Sequence, residues 1–297
     1  MVNSSWICPL CSSALHLKDK TYTCDSGHAF DIAKSGYVNL LPVQHKKSKD
    51  PGDSKAMVQA REAFLASGSY SALAESLCRN IVELIEQHGQ QSEAFSLFDA
   101  GCSHAYYSRF IQKHIREHFG AQRVRVSGID ISKTAIEKAA KSYKKDNKNE
   151  NLDLSAGANF AVASTFNIPL EDNSQDFVLQ VFAPSDAEQI RRVLKPNGRW
   201  CVVTPGAHHL KELKRFVYDE VNTHDEQFNV PEGFIFESRN ALSFECSLNT
   251  SSMRENLLAM TPFYWRISDE NRVRLLRSLE RVSADFSIHM FMSDKWL

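Results

Sequence analysis

From residue 93 onward, short apolar runs alternate with segments whose apolar residues recur every three to four positions. "AFSLFDAG" (94–101) predicts a strand ending in a turn, and "AYYSRFIQKHIREHF" (105–119) an amphipathic helix. "VRVSGIDIS" (124–132) predicts a second strand and "KTAIEKAAKSYKK" (133–145) a second helix. "NFAVAS" (159–164), "DFVLQVF" (176–182) and "GRWCVVTP" (198–205) predict three more strands. The stretch "APSDAEQIRRVLKPNG" (183–198) is helical in pattern and lies between the last two. "FSIHMFMS" (286–293) reads as a late strand. Strand–helix alternation with strands this apolar predicts an α/β fold, a mainly parallel twisted sheet covered on both faces. Ligands in such sheets bind at the carboxyl ends of the strands, near the switch in strand order. Asp99, Asp130 and Ala163–Thr165, including Ser164, fall at such ends.

Before residue 93 the pattern differs. "HLKDKTYT" (16–23) alternates as a small hairpin, and "SGYVNLL" (35–41) reads as a turn and a short strand. "HKKSKDPGDS" (45–54) is polar, basic and rich in turn formers, so it reads as a linker. From Ser54, "SKAMVQAREAFLASGSY" has helical spacing behind a Ser start and stops near Gly68. A solvated charge run is the ordinary fate of the linker lysines, with phosphate contact the open alternative.

Composition changes the picture in two places. The 297 residues carry a net charge of −1, so contact with nucleic acid requires a local patch and not a global field. No leader pattern and no apolar run of membrane length is visible, so a cytoplasmic location is expected. The seven cysteines are odd in number, and three precede residue 25, which points to metal binding plus buried thiols. Cys8 and Cys11 form a CxxC pair, and Cys24 and His28 a CxxxH pair a dozen residues on. Two thiolates from one turn, closed by a second pair, suit a tetrahedral zinc ion held by three Cys and one His. His16 is a rival ligand, but it sits inside the expected hairpin. With all four positions filled by protein, the metal would be structural, and it would supply much of the folding energy of so short a segment.

"DAG" at 99–101, "GID" at 128–130 and "LKPNG" at 194–198 together resemble class I, Rossmann-like methyltransferases that use S-adenosylmethionine. The GxGxxG of a dehydrogenase is missing from the first turn. Asp130 is placed to accept from ribose hydroxyls, with helix capping the plainer alternative. The zinc knuckle, "DIAKSGYVNLLPVQHKKSKDPGDSKAMVQAREAFLASGSY" and "TPFYW" widen the likeness to nearly the whole chain. Together they resemble the bacterial 23S rRNA (guanine-N1)-methyltransferases. That resemblance implies methyl transfer to N1 of one guanine in an rRNA hairpin, and a homodimer whose clefts and zinc domains hold the RNA. It divides the chain into a zinc-binding knuckle (1–45), a basic linker and helix (46–75) and a methyltransferase domain (76–297). Its residues carry over as zinc ligands Cys8, Cys11, Cys24 and His28, and as cofactor-site residues Tyr70, Gly101, Cys102, Ser103, His104, Asp130 and His209, with His208 adjacent.

One departure stands out. The family pattern is close to DxGCGEGYY, and this chain has DAGCSHAYY. Glycine permits positive φ and close backbone approach, so Ser103 and Ala105 are expected at negative φ. His104 cannot pair with the cofactor's amino group as a carboxylate would, so weaker cofactor binding is expected. An RNA-binding relative without chemistry and a small-molecule methyltransferase are the alternatives. For the proton on guanine N1, Asp186 after the fourth strand is the candidate acceptor, against a capping role; His209 and His289 are further candidates. Phe182, Phe263, Tyr264 and Trp265 are candidate stacking platforms, against core packing. Six lysines between Lys133 and Lys148 make either an RNA-facing edge or a solvated surface.

Overall fold

The computed structural model describes residues 6–45, 51–87, 94–120, 123–149, 159–221, 223 and 229–295. Lysines 46, 47 and 49 of the expected linker lie outside them. Near the N-terminus, β1 (His16–Lys18), β2 (Thr21–Thr23) and β3 (Ala29–Asp31) form a three-stranded antiparallel sheet. The expected hairpin is there, with His16 opposite Thr23. Then follow β4 (Tyr37–Asn39), α1 (Lys55–Ala66) and α2 (Ser71–Gln87). Ser54 caps α1, its side chain accepting from the Met57 N–H at 3.3 Å. The α2 helix buries Leu73, Leu77, Ile81 and Ile85, an apolar stripe at helical spacing.

The remaining elements build one large sheet. They are β5 (Phe95–Ala100), α3 (Tyr106–Phe119), β6 (Val124–Asp130), α4 (Lys133–Asn149), β7 (Phe160–Val162), β8 (Gln175–Val181), α5 (Ala187–Val193) and β9 (Leu194–Pro205). Next come α6 (Lys211–Lys214), β10 (Phe234–Ser247), α7 (Ser251–Ala259), α8 (Asp269–Ser278) and β11 (Arg281–Ser293). The strand order is β10-β11-β9-β8-β5-β6-β7-β4. Strands from β4 to β9 pair in parallel, and β11 and β10 close one edge antiparallel. Chain order reverses between β5 and β8, which sets the ligand crevice at their carboxyl ends.

Two differences from expectation have physical causes. The helix expected over 183–198 spans only Ala187–Val193, because Pro196 lacks a donor and Leu194 already has the extended angles of β9. The zinc segment is also less autonomous than its length suggests. β4 is the outermost parallel strand of the large sheet, pairing with β7. Trp6, Leu15 and Tyr22 share one apolar cluster with Ile168, Leu170 and Val193, and the Ile7 N–H donates to the Pro169 carbonyl at 3.0 Å. The module thus borrows core from the larger domain, and metal is not its sole support. Among the described residues no helix is long and apolar enough to cross a membrane.

Candidate cofactor and metal sites

The metal site forms at the CxxC turn and the β2–β3 turn. Ligand atoms of Cys8, Cys11, Cys24 and His28 lie within 4.8 Å of one another. Cys8 Sγ and Cys24 Sγ stand 3.5 and 3.4 Å from His28 Nδ1, and Cys11 Sγ is 3.6 Å from Cys24 Sγ. A tetrahedron with Zn–S bonds of about 2.3 Å has edges of about 3.8 Å, so this donor set fits zinc. His16 lies outside the cluster, on β1, with its Nε2 3.9 Å from Asp25. The other four cysteines, Cys78, Cys102, Cys201 and Cys246, are buried free thiols.

The second site forms where β5, β6, β7, β8 and β9 end. β5 finishes at Asp99 and Ala100, both buried, and the chain turns at Gly101 with φ 80°. A Cβ on Gly101 would stand 2.3 Å from the Ala183 Cβ, so only glycine lets this turn pack against the loop after β8. Ser103 and Ala105 then adopt φ 49° and 60°. The expectation of negative φ is therefore wrong: the loop keeps a left-handed path without its glycines. Such angles cost a non-glycine residue about 1–2 kcal/mol each, and they persist only where surroundings enforce them. The N–H groups of Gly101 and Cys102 both donate to the Ile129 carbonyl at 2.9 Å, and the Ala105 N–H donates to Cys102 at 2.7 Å. Ala105 starts α3 with no side-chain cap.

Asp130 ties this loop to the end of β6. Its Oδ2 accepts from the Ser103 N–H at 2.9 Å, and its Oδ1 from the Ser132 N–H at 2.8 Å. Burial raises its pKa, and those two N–H donors pull it back. Asp99 is pushed up to about 7 by burial, with the nearby Ser108 hydroxyl opposing and the Asp130 charge adding. Burial drives His104 down to about 4, and the Arg61 charge adds to that, so its ring is neutral at pH 7. Its Nδ1 and the Tyr70 hydroxyl are buried without hydrogen-bond partners among the described residues. Buried orphan atoms are rare, so each calls for a partner that the described residues do not supply, such as water or a polar ligand. The residues present thus fit a polar, partly cationic ligand such as S-adenosylmethionine.

Tyr70 sits among Phe64, Phe286 and Phe244, with its ring 6.3 Å from His209. Burial lifts its phenol well above the ordinary range, so it stays a donor. His209 Nδ1 accepts from the Asp285 N–H at 3.2 Å, which places the proton of its neutral ring on Nε2. Ser164 lies in the turn after β7, accepting from the Phe166 N–H at 3.2 Å. Phe182, which follows β8, has φ 55°, is 46% exposed and stands 5.5 Å from the His209 ring. A bulky residue at positive φ is a strained feature of the kind that collects at functional sites. Asp186 is the N-cap of α5, its Oδ1 accepting from the Glu188 N–H at 2.9 Å.

His289 is buried in β11 opposite Val202, and its Nε2 stands 3.4 Å from Thr204 Oγ1, one residue before the end of β9. Phe263 and Tyr264 pack on the core, while Trp265 is 70% exposed. Lys138 pairs with Glu62, Lys141 with Glu137 at 2.6 Å, and Lys144 donates to the Lys34 carbonyl at 3.2 Å. These three lysines of α4 therefore engage the protein itself. Sequence reasoning missed Asp53 and Arg61, which touch this site from α1 and the turn before it. Arg61 donates to Asp53, to Ser103 Oγ at 3.0 Å and to the Met260 carbonyl at 3.2 Å. The DPGD turn offered the only signal, and composition marked it as linker.

Residues 6–49 match the family described as RlmA, N-terminal, and residues 91–257 match a methyltransferase domain family. A 23S rRNA (guanine(748)-N(1))-methyltransferase from Streptomyces fradiae is 32% identical over 69% of this chain and 65% of its own length. A relative from Micromonospora griseorubida is 34% identical over 69% of this chain and 67% of its own; its name assigns a 23S rRNA guanine-N1 methyltransferase activity provisionally. The protein YxjB of Bacillus subtilis, named in the same provisional way, is 29% identical over 96% of this chain and 94% of its own. The match thus spans about two thirds of the first two relatives and nearly all of the third. The chain belongs to the family of 23S rRNA (guanine-N1)-methyltransferases, in which a zinc ribbon precedes an S-adenosylmethionine-dependent methyltransferase domain.

Proposed function

We propose that this protein transfers a methyl group from S-adenosylmethionine to N1 of one guanine in a hairpin of 23S rRNA. One observation carries the reading. The left-handed loop 101–105, Asp130 and the Phe182–Asp186 turn converge on one edge of a methyltransferase sheet whose outer strand continues into a zinc module. The names of the relatives supply the substrate class.

The cofactor supplies an electrophilic methyl group on a sulfonium. The chain's residues place and protect it. Asp130 accepts from the ribose hydroxyls, and its bonds to Ser103 and Ser132 fix its plane. The uncapped start of α3 presents backbone N–H groups to a carboxylate. Tyr70 donates its buried hydroxyl, and the neutral His104 offers its ring nitrogen. Phe182 forms the platform on which the extruded guanine stacks. His209 already uses Nδ1 to accept from the Asp285 N–H, which suits its ring to donate and not to accept. The N1 proton is assigned to Asp186, whose Oδ1 is steadied by the Glu188 N–H. Holding acceptor, carbon and sulfur in line can supply as much as about 7–11 kcal/mol. We further propose that the zinc ribbon grips the flanking RNA, that two copies form the working unit, and that the protein acts in the cytoplasm.

The test is transfer of labelled methyl from S-adenosylmethionine to protein-free 23S rRNA lacking the modification. Label in 23S rRNA, and none in 16S rRNA or in small molecules, is the expected result. Cofactor binding without label in RNA contradicts the reading.

A further inference from the structure

A closed circuit of hydrogen bonds runs around the Asp130 carboxylate. Asp130 Oδ2 accepts from the Ser103 N–H, and Ser103 Oγ accepts from Arg61 at 3.0 Å. Arg61 is ion-paired with the Asp53 carboxylate. The Asp53 carbonyl accepts from Ser132 Oγ at 2.9 Å, and the Ser132 N–H returns to Asp130 Oδ1 at 2.8 Å. Arg61 also reaches the Met260 carbonyl at the end of α7, at 3.2 Å. Gly52 makes room for this closure, because a Cβ there would stand 2.8 Å from Ile131 and 3.0 Å from Ser132. Its φ of 86° suits the same turn.

Arg61 reaches into the circuit from α1, while Asp53 and Ser132 lie in the turns before α1 and α4. Ser103 Oγ belongs to a loop residue at φ 49°, an angle that favours glycine. A glycine would adopt that angle freely but would leave Arg61 without its loop contact. A serine resists the angle, so something must hold it. Arg61 has the geometry to do so: its planar fork is oriented by Asp53 and Met260 before it meets the hydroxyl. We propose that Arg61 is a positioning residue, and that the Asp53–Arg61–Ser103 clasp replaces glycine in ordering this chain's cofactor loop. The clasp links the segment following the zinc module to the cofactor loop, and through Met260 to the C-terminal lobe. It rests on the reading of 101–105 as the cofactor loop.

Two measurements on the zinc-loaded full-length protein decide it. The first is calorimetric titration with S-adenosylmethionine of the wild type, Arg61→Met, Ser103→Ala and the double variant, with melting temperatures recorded in parallel. Each single change should weaken binding about tenfold, the scale of one charge-assisted hydrogen bond, and the double change should weaken it no further. Arg61→Lys, with one point charge and no fork, should recover part of the affinity. Additive losses, or single variants that bind as the wild type does, overturn the proposal. The second is hydrogen exchange of the cofactor-free protein, where Arg61→Met should speed exchange over 101–106 and leave β6 and β8 unchanged. A wild type that binds no cofactor contradicts the cofactor reading, and exchange then decides the clasp alone. Unchanged exchange over 101–106 overturns it.

Discussion

Asp99 shows how one buried group ties stability to binding. Its folded-state pKa is raised from 3.8 to about 7 by burial. As pH rises from 4 to 7, the unfolded chain therefore releases this proton first. The stability Asp99 contributes is complete below about pH 4 and is lost as pH passes 7, on the order of 4 kcal/mol at most. Asp99→Asn should flatten that decline, which urea melts at pH 5 and 7.5 would read. Binding runs the other way, because an ionised Asp99 favours a cationic ligand. Cofactor affinity should climb from pH 5.5 to 7, by no more than about tenfold per pH unit, and then level off. Asp186 gives a cleaner separation of roles. Asn caps a helix about as well as Asp, so Asp186→Asn should leave the melting temperature and cofactor affinity unchanged. If Asp186 takes the N1 proton, kcat should fall by about 10²–10⁴ in single-turnover assays. An unchanged kcat in Asp186→Asn would reduce Asp186 to a cap. The strand-end positions of Asp99 and Asp130 were legible in the sequence, and a family resemblance singled out Tyr70 and His209. Asp53 and Arg61 were not, because what joins them to the loop is tertiary contact across 42 residues from Arg61 to Ser103.

Among the elements, β5 to β9 were legible because they read as short apolar runs between helical segments. β10 was not read: Leu242, Phe244 and Cys246 do alternate with exposed residues, but residues 236–241 before them are exposed throughout and carry no such pattern. The joining of β4 to the large sheet was hidden for another reason: three residues carry almost no periodicity, and pairing with β7 is a long-range event. That joining decides what zinc removal does. β4 is held by β7 and by the apolar cluster it shares with Ile168 and Leu170, and not by metal alone. A strong chelator should therefore release β1–β3 while leaving the large sheet folded. The expected outcome is cofactor affinity changed by less than about threefold, with binding to the rRNA hairpin lost; the ion's contribution lies in the ribbon. Calorimetry with both ligands, before and after chelation, would show it. Loss of cofactor binding along with RNA binding would mean that the ribbon also holds the cofactor pocket together.

For the molecule as a whole, net charge is close to zero, and three lysines of α4 are engaged by the protein. In the proposed reading these three lysines supply no broad basic field, and shape, local contacts and an extruded base carry more of the RNA recognition. The sheet joins the pieces: a strained loop beside Asp130, an exposed Phe182 and Asp186 capping α5 stand at its carboxyl edge, and its outermost parallel strand continues the zinc module. The central claim is that this edge methylates guanine N1 in 23S rRNA. Its most direct test is mass-spectrometric identification of the nucleoside formed when zinc-loaded protein and S-adenosylmethionine act on unmodified 23S rRNA. The account predicts N1-methylguanosine at a single hairpin position, lost with Asp186→Asn. A methyl group on any other atom, or none on RNA while the cofactor binds, would contradict it.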